Sequence, residues 1–352
     1  MGSTTRRESV WPFGAFDRGW LRRPVRTAVV FGSGGARGWA HIGVLKAFRE
    51  LGFRPDIVAG TSIGSVAAVV QATDTLDAFI RFSEDLDWFK AAQLFVEFGI
   101  HRGGFVEGRK VTRFLESMFP VKNIQDLKIP FAAVATDLFT SEEIIFRSGP
   151  LISALRASIS IPGVFTPVHL DGRYLVDGGL VNPLPLDIVR DMGATHVVAV
   201  NMNGPLPWLS AEEEERQIPG NFSDVFRKFL QGLVPDSSNK DDECADGDGS
   251  EASSSGVRDK LAKGVSAVVD KLPSGRRKAS SEDSLDMNMF DVFTRSLRIA
   301  EDRITAACIQ SNPPDVLIEP AVADISTMDF SRSSEAIEAG YVATMRACDT
   351  QS

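Results

Sequence analysis

The chain has 352 residues, 43% of them hydrophobic, with a formal net charge of -9, four histidines and three cysteines. The negative balance disfavours a nucleic-acid partner, although part of it belongs to Glu212-Glu213-Glu214-Glu215 and an acidic stretch that follows. The scattered histidines and cysteines form no metal-ligand cluster or disulfide framework, no cofactor motif is complete, and no calcium loop is visible, so a metal-free protein of a reducing cytoplasm is expected.

Residues 1 to 26 carry six arginines against Glu8 and Asp17, together with Trp11, Phe13, Phe16, Trp20 and Leu21. Basic and aromatic residues together suit peripheral contact with the inner membrane face. Pro12, Gly14 and Gly19 break any helix here, which slightly favours packing of the aromatics back on the protein. Neither a spanning helix nor secretion is expected, because there is no apolar run of 18 residues and no signal-peptide core.

A strand is predicted over 27 to 31 and a helix over 38 to 51, joined by Gly32-Ser33-Gly34-Gly35-Ala36-Arg37-Gly38. Such a loop presents backbone N–H groups at a helix start and suits either a phosphate or the oxyanion of an acyl-transfer intermediate. The dinucleotide spacing is incomplete, since Ser33 replaces its first glycine. Nor does an acidic residue end the next strand, over 57 to 59, which runs into Gly60-Thr61-Ser62-Ile63-Gly64 and a helix over 63 to 72. By itself a serine in this pattern is more often a helix cap than a nucleophile. The glycine loop upstream moves the balance toward a nucleophile elbow and an oxyanion site.

A serine nucleophile needs a base. His41, one turn into the first helix, His101 before a Gly-Gly turn, and His169 and His196 in strand-like stretches all read as structural or surface residues. Asp177, in Tyr174-Leu175-Val176-Asp177-Gly178-Gly179, is better placed: it ends a short apolar strand, although Asp-Gly-Gly alone reads as a turn. Further strands are expected at 131 to 135, 143 to 146, 174 to 176, 197 to 201 and 316 to 319, with a hairpin turn at Asp171-Gly172. Further helices are expected at 75 to 89, 107 to 118, 150 to 157, 186 to 192, 286 to 310 and 332 to 347. This alternation predicts an α/β protein, a mainly parallel sheet covered on both faces, with ligand bound at the carboxyl ends of its strands.

The glycine loop, the following Ala40-His41-Ile42-Gly43-Val44-Leu45, the elbow and Asp177-Gly178-Gly179 together resemble the patatin-like phospholipase family, in its bacterial and neuropathy-target-esterase-like branch. The stretch Arg156-Ala157-Ser158-Ile159-Ser160-Ile161-Pro162-Gly163-Val164-Phe165-Thr166-Pro167-Val168 and Asp315-Val316-Leu317-Ile318-Glu319-Pro320 match as well. The resemblance implies a three-layer α/β/α fold and a serine lipid acyl hydrolase of esterase or phospholipase A type. It also implies a Ser62 and Asp177 dyad without histidine, working through an acyl-enzyme, with oxyanion donors at the N–H groups of Gly34, Gly35 and Ala36. Gly32, Arg37, Gly38, Gly60, Gly64, Gly178 and Gly179 would support these motifs, with Arg37 either pairing with a carboxylate or shaping the loop and meeting a lipid phosphate. Ser33 departs from the glycine of many relatives. A catalytically silent regulator of the same fold and a non-lipid serine esterase or peptidase are the rival readings; the latter would need a histidine in reach, His41 first.

The catalytic unit is expected at 27 to 205 and 286 to 347, with an insertion at 206 to 285. Residues 235 to 256 contain almost nothing to bury and read as disordered, as does 273 to 285. Between them Val257, Leu261, Val265, Val268 and Leu272 recur at helical spacing, giving an amphipathic helix that either packs on the surface, the preferred reading, or forms a lid.

Overall fold

The computed structural model describes residues 25–85, 107–204 and 289–350. Most of the basic N-terminal segment, His101, the acidic insertion and its amphipathic helix lie outside them. Eight strands form one sheet: β1 (Thr27–Phe31), β2 (Ile57–Thr61), β3 (Phe131–Asp137), β4 (Glu143–Phe146), β5 (Val168–Leu170), β6 (Arg173–Asp177), β7 (His196–Val200) and β8 (Val316–Ile318). The helices are α1 (Ala40–Glu50), α2 (Ile63–Thr73), α3 (Leu76–Asp85), α4 (Arg109–Met118), α5 (Leu151–Ser158), α6 (Leu186–Asp191), α7 (Met289–Ser311) and α8 (Ser333–Asp349).

The parallel body of the sheet runs β3-β2-β1-β7-β8, and β1, β2 and β3 are buried along their whole length, as strands covered on both faces must be. Side chains alternate between two cores. Val29, Phe31 and Val58 pack with α1, α2, α3, α4, α5 and α8 on one face. On the other, Ala28, Val30, Ile57 and Ala59 pack with α6 and with Ile309 of α7. The result is a three-layer α/β/α fold with a mainly parallel sheet.

One pairing detail positions everything that follows. Val134 of β3 pairs with Ile145 of β4 and Thr61 of β2, while the next residue, Ala135, pairs with Ile144 of β4 and Asp177 of β6. Since β4 takes one edge of β3 throughout, β2 and antiparallel β6 share the other edge, carboxyl end against carboxyl end. Two residues far apart in sequence, Ser62 after β2 and Asp177 at the end of β6, are thereby brought to the same point.

Element ends shift by small amounts from the sequence expectation. The first helix opens as a tight 3-10 turn over Gly35–Trp39 before α1 starts at Ala40. Strand β2 continues two residues beyond the expected end because Gly60 and Thr61 are themselves buried. The described part of α3 ends at Asp85, and the rest of the helix expected to residue 89 lies outside the described residues.

Candidate active site

Ser62 sits between β2 and α2 with φ 57 and ψ -130, a combination that non-glycine residues rarely adopt and that costs on the order of 1–3 kcal/mol. The flanking glycines answer to contact at this crossing. A β-carbon at Gly60 would overlap the Gly64 carbonyl, and one at Gly64 would overlap the carbonyls of Phe31 and Gly32. The helix-cap reading of Ser62 does not hold, since its side chain makes no capping hydrogen bond. Its hydroxyl instead donates to Asp177 Oδ2 at 2.5 Å, with both residues buried.

The second carboxylate oxygen of Asp177, Oδ1, accepts the Gly179 N–H at 2.8 Å. Burial pushes the Asp177 carboxyl up to about 6, against the opposing pull of the Ser62 hydroxyl and the Gly179 N–H. The carboxylate is therefore a stronger base than an exposed aspartate and still ionised at neutral pH. Thr136 Oγ1 donates to the Asp177 carbonyl at 2.8 Å, and Thr61 Oγ1 to the Asn182 carbonyl at 2.7 Å, tying the two strand ends to their neighbours.

A third stretch holds both. The Ser62 N–H donates to Ser158 Oγ, and the Asp177 N–H to the Ser160 carbonyl, each at 2.9 Å. Arg156 braces this stretch from within, donating to Ser160 Oγ at 2.7 Å and lying over the Phe165 ring at 4.6 Å. The stretch that contains Ser158 and Ser160 stands out in the sequence as part of the resemblance, but no local pattern assigns these two serines this task.

In the glycine loop, Gly35 has φ +57 and lies against Thr327, so both its backbone and its surroundings require glycine. The N–H groups of Gly34 and Gly35 make no hydrogen bond among the described residues. Ala36 differs from the expectation: its N–H donates to the Thr327 carbonyl at 2.7 Å, so this third donor fastens the loop to the segment after β8. Arg37 is fully buried and donates to the carbonyls of Gly34 and Met202, both at 3.2 Å, and to Asn203 Oδ1 at 3.0 Å. It shapes the loop from behind and cannot meet a lipid phosphate. Desolvation lowers its pKa to about 10, which leaves it charged. Ser33 joins the same network, accepting from Asn203 Nδ2 at 3.1 Å.

The three described histidines take structural places. His41 is fully buried, its Nε2 bonded to the Gly32 carbonyl at 2.9 Å, its ring edge-on to Phe31; burial lowers its pKa to about 4, so it is neutral. His169 lies against Tyr174 in the β5-β6 hairpin, and His196 opens β7.

Ser62 also lines a cavity of about 130 Å³ whose walls are hydrocarbon and aromatic rings. Ile63, Val66, Ala67 and Val70 form one stripe of α2 along it, with Phe82 of α3 and Phe114 of α4 opposite, their ring centroids 4.3 Å apart. From Ser62 to Val70 the helix rises roughly 12 Å. An extended apolar chain fits such a space, and a polar head group does not.

Comparison with known proteins bears on this geometry. Residues 29–190 match the family model described as Patatin-like phospholipase. An uncharacterized NTE family protein of Mycobacterium tuberculosis is 31% identical over 331 residues, covering 92% of this chain and 91% of its own. Patatin-like phospholipase domain-containing protein 6 of Homo sapiens is 36% identical over 181 residues, 50% of this chain but 13% of that much longer one. Among solved structures, VipD from Legionella pneumophila aligns at 12% identity with a TM-score of 0.38, over 93% of this chain and 67% of that one, too remote to bear on the chemistry.

Proposed function

Because the chain belongs to the NTE branch of the patatin-like phospholipases, a family of lipid hydrolases, we propose that it is a serine acyl hydrolase cleaving carboxylic esters of lipids through a Ser62 and Asp177 dyad. The observation that carries this reading is the 2.5 Å hydrogen bond from the Ser62 hydroxyl to a buried, desolvated carboxylate at the edge of an apolar cavity. In the proposed cycle Asp177 takes the hydroxyl proton as Ser62 Oγ attacks the ester carbonyl. The oxyanion forms against the unengaged N–H groups of Gly34 and Gly35, each donor of this kind contributing a factor of about 10²–10³. Collapse of the intermediate breaks the ester C–O bond, and Asp177 returns its proton to the departing alcohol. A water then attacks the acyl-enzyme, with Asp177 taking its proton, and the fatty acid leaves as Ser62 is reprotonated.

Residues 27–205 and 286–347 would form the catalytic unit and 206–285 an insertion. The basic, aromatic segment 1–26 supports peripheral contact with an anionic membrane face, which co-sedimentation with anionic liposomes tests by comparing the full chain with one lacking those residues. Equal binding would remove that role.

Turnover of p-nitrophenyl esters and phospholipids by the wild type, Ser62→Ala, Asp177→Asn and His41→Ala tests the chemistry. Ser62→Ala is expected to lose a factor of about 10⁴ or more, and a fluorophosphonate probe should label Ser62. Near-normal turnover by Asp177→Asn, with loss in a folded His41→Ala, would falsify the dyad.

A further inference from the structure

Beside Asp177, on the Oδ1 edge that does not face Ser62, stands a second carboxyl group. A β-carbon built on Gly179 would lie 2.5 Å from Glu301 Oε1 of α7 and 3.2 Å from Asp177 Oδ1. The second glycine of the Asp-Gly-Gly motif therefore leaves room for a carboxyl delivered from the opposite end of the sequence. The two acids lie within about 6 Å of each other, the range in which like charges shift each other's ionisation.

We propose that Glu301 is a positioning residue of this site, acting through Asp177 by tuning how strongly that carboxylate draws the Ser62 proton. This rests on the dyad reading above and adds a third member that touches neither substrate nor nucleophile. The surroundings of Glu301 support the role. Burial, and after it the Asp177 charge, push its carboxyl up to about 8, with Asp302 of the same helix adding to the rise. Arg37 from the glycine loop and Arg298 from α7 act in the opposite sense. Farther along α7, Asp187 of α6 and Glu143 of β4 face Cys308 rather than Glu301.

Asp177 titrates at about 6 and Glu301 at about 8, so at neutral pH the pair carries one negative charge, and it rests on the oxygen pair that holds Ser62. A protonated Glu301 leaves that anion undisturbed. Once Glu301 ionises, two anions stand side by side and Asp177 gains by accepting a proton, which is the event that accompanies serine attack. The oxyanion forms on the other side of Ser62, at Gly34 and Gly35, and feels the second charge less.

The pH dependence of kcat/KM and of fluorophosphonate labelling at Ser62 tests this, in the wild type and in Glu301→Gln. The wild type should rise through about pH 6 as Asp177 ionises and again by about threefold through about pH 8, the gain when a base strengthens by about one pKa unit and half is expressed in the barrier. Glu301→Gln should keep the first rise and reach a plateau. Glu301→Met, which removes the carboxyl and leaves no polar group to desolvate, should give the same single rise and guards against misfolding of the amide variant. Superimposable profiles, a wild type without the second rise, or a variant lower by one constant factor at every pH would each overturn the proposal. Absence of both turnover and Ser62 labelling in the wild type would instead overturn the serine-hydrolase reading, and this inference with it.

Discussion

On the α7 side of Ser62, charge is gathered: buried Asp177 and Arg37 meet the partly buried Asp302 and Arg298 around Glu301, whose ionisation feels all four. On the α2 side, the described residues that line the cavity include no charged side chain. Buried charge is costly and persists only where hydrogen bonds and opposite charges offset it, so the first region reads as proton chemistry and the second as selection by shape. Each can be disturbed without the other.

The largest effect separates activity from stability on the charged side. Asp177→Asn should lower ester turnover by about 10⁴, as loss of a carboxylate in a serine triad does. Asp177 binds its proton more tightly folded than unfolded, so its contribution to stability is full in acid and is lost as the pH rises through about 6. At pH 8 the ionised group therefore weighs against the fold, and the asparagine variant should melt no lower than the wild type in calorimetry. A variant both inactive and several degrees less stable would deny that Asp177 is a strained base.

Substitution on the apolar side should change which ester is cleaved. Val70→Trp fills the end of the α2 stripe far from Ser62 and should lower turnover of long-chain esters by about 10–100-fold while short-chain esters are spared, a selectivity typical of altered apolar pockets. Val66→Trp, one turn closer to Ser62, should depress both. Equal effects of Val70→Trp on butyrate and palmitate esters would detach the cavity from the acyl chain.

Ser158→Ala touches neither region and leaves the Ser62 N–H buried without an acceptor, a loss of about 1–3 kcal/mol. That should appear as a lower melting temperature and a kcat reduced by about tenfold with KM little changed. Smallest of all, Ser33→Gly removes one hydrogen bond to Asn203 and should keep turnover within about threefold. A collapse of activity there would mean that the Ser33 hydroxyl itself stabilises the oxyanion.

The sheet was legible because its central strands are short apolar runs, with Gly32 closing β1 and Gly60 near the end of β2, and parallel strands covered on both faces read that way. Strands at 27 to 31 and 143 to 146 were placed to the residue, and Ser62 and Asp177 stood out because glycines crowd around them. The rest depended on contacts made across the fold. Glu301 reads as one acid among several on a long helix, Val66 and Val70 as ordinary helix residues, and Arg37 as ambiguous until its complete burial is known. The engagement of the Ala36 N–H by Thr327 joins two distant loops, and no local pattern announces it.

The stretch from Ser158 to Ser160 holds nucleophile and base by their backbones at once. The gap between the two groups is then a dimension of one short piece of chain rather than of two independently moving strand ends. Heating should leave that gap intact until the end of α5 itself gives way, so inactivation is expected to coincide with melting instead of preceding it.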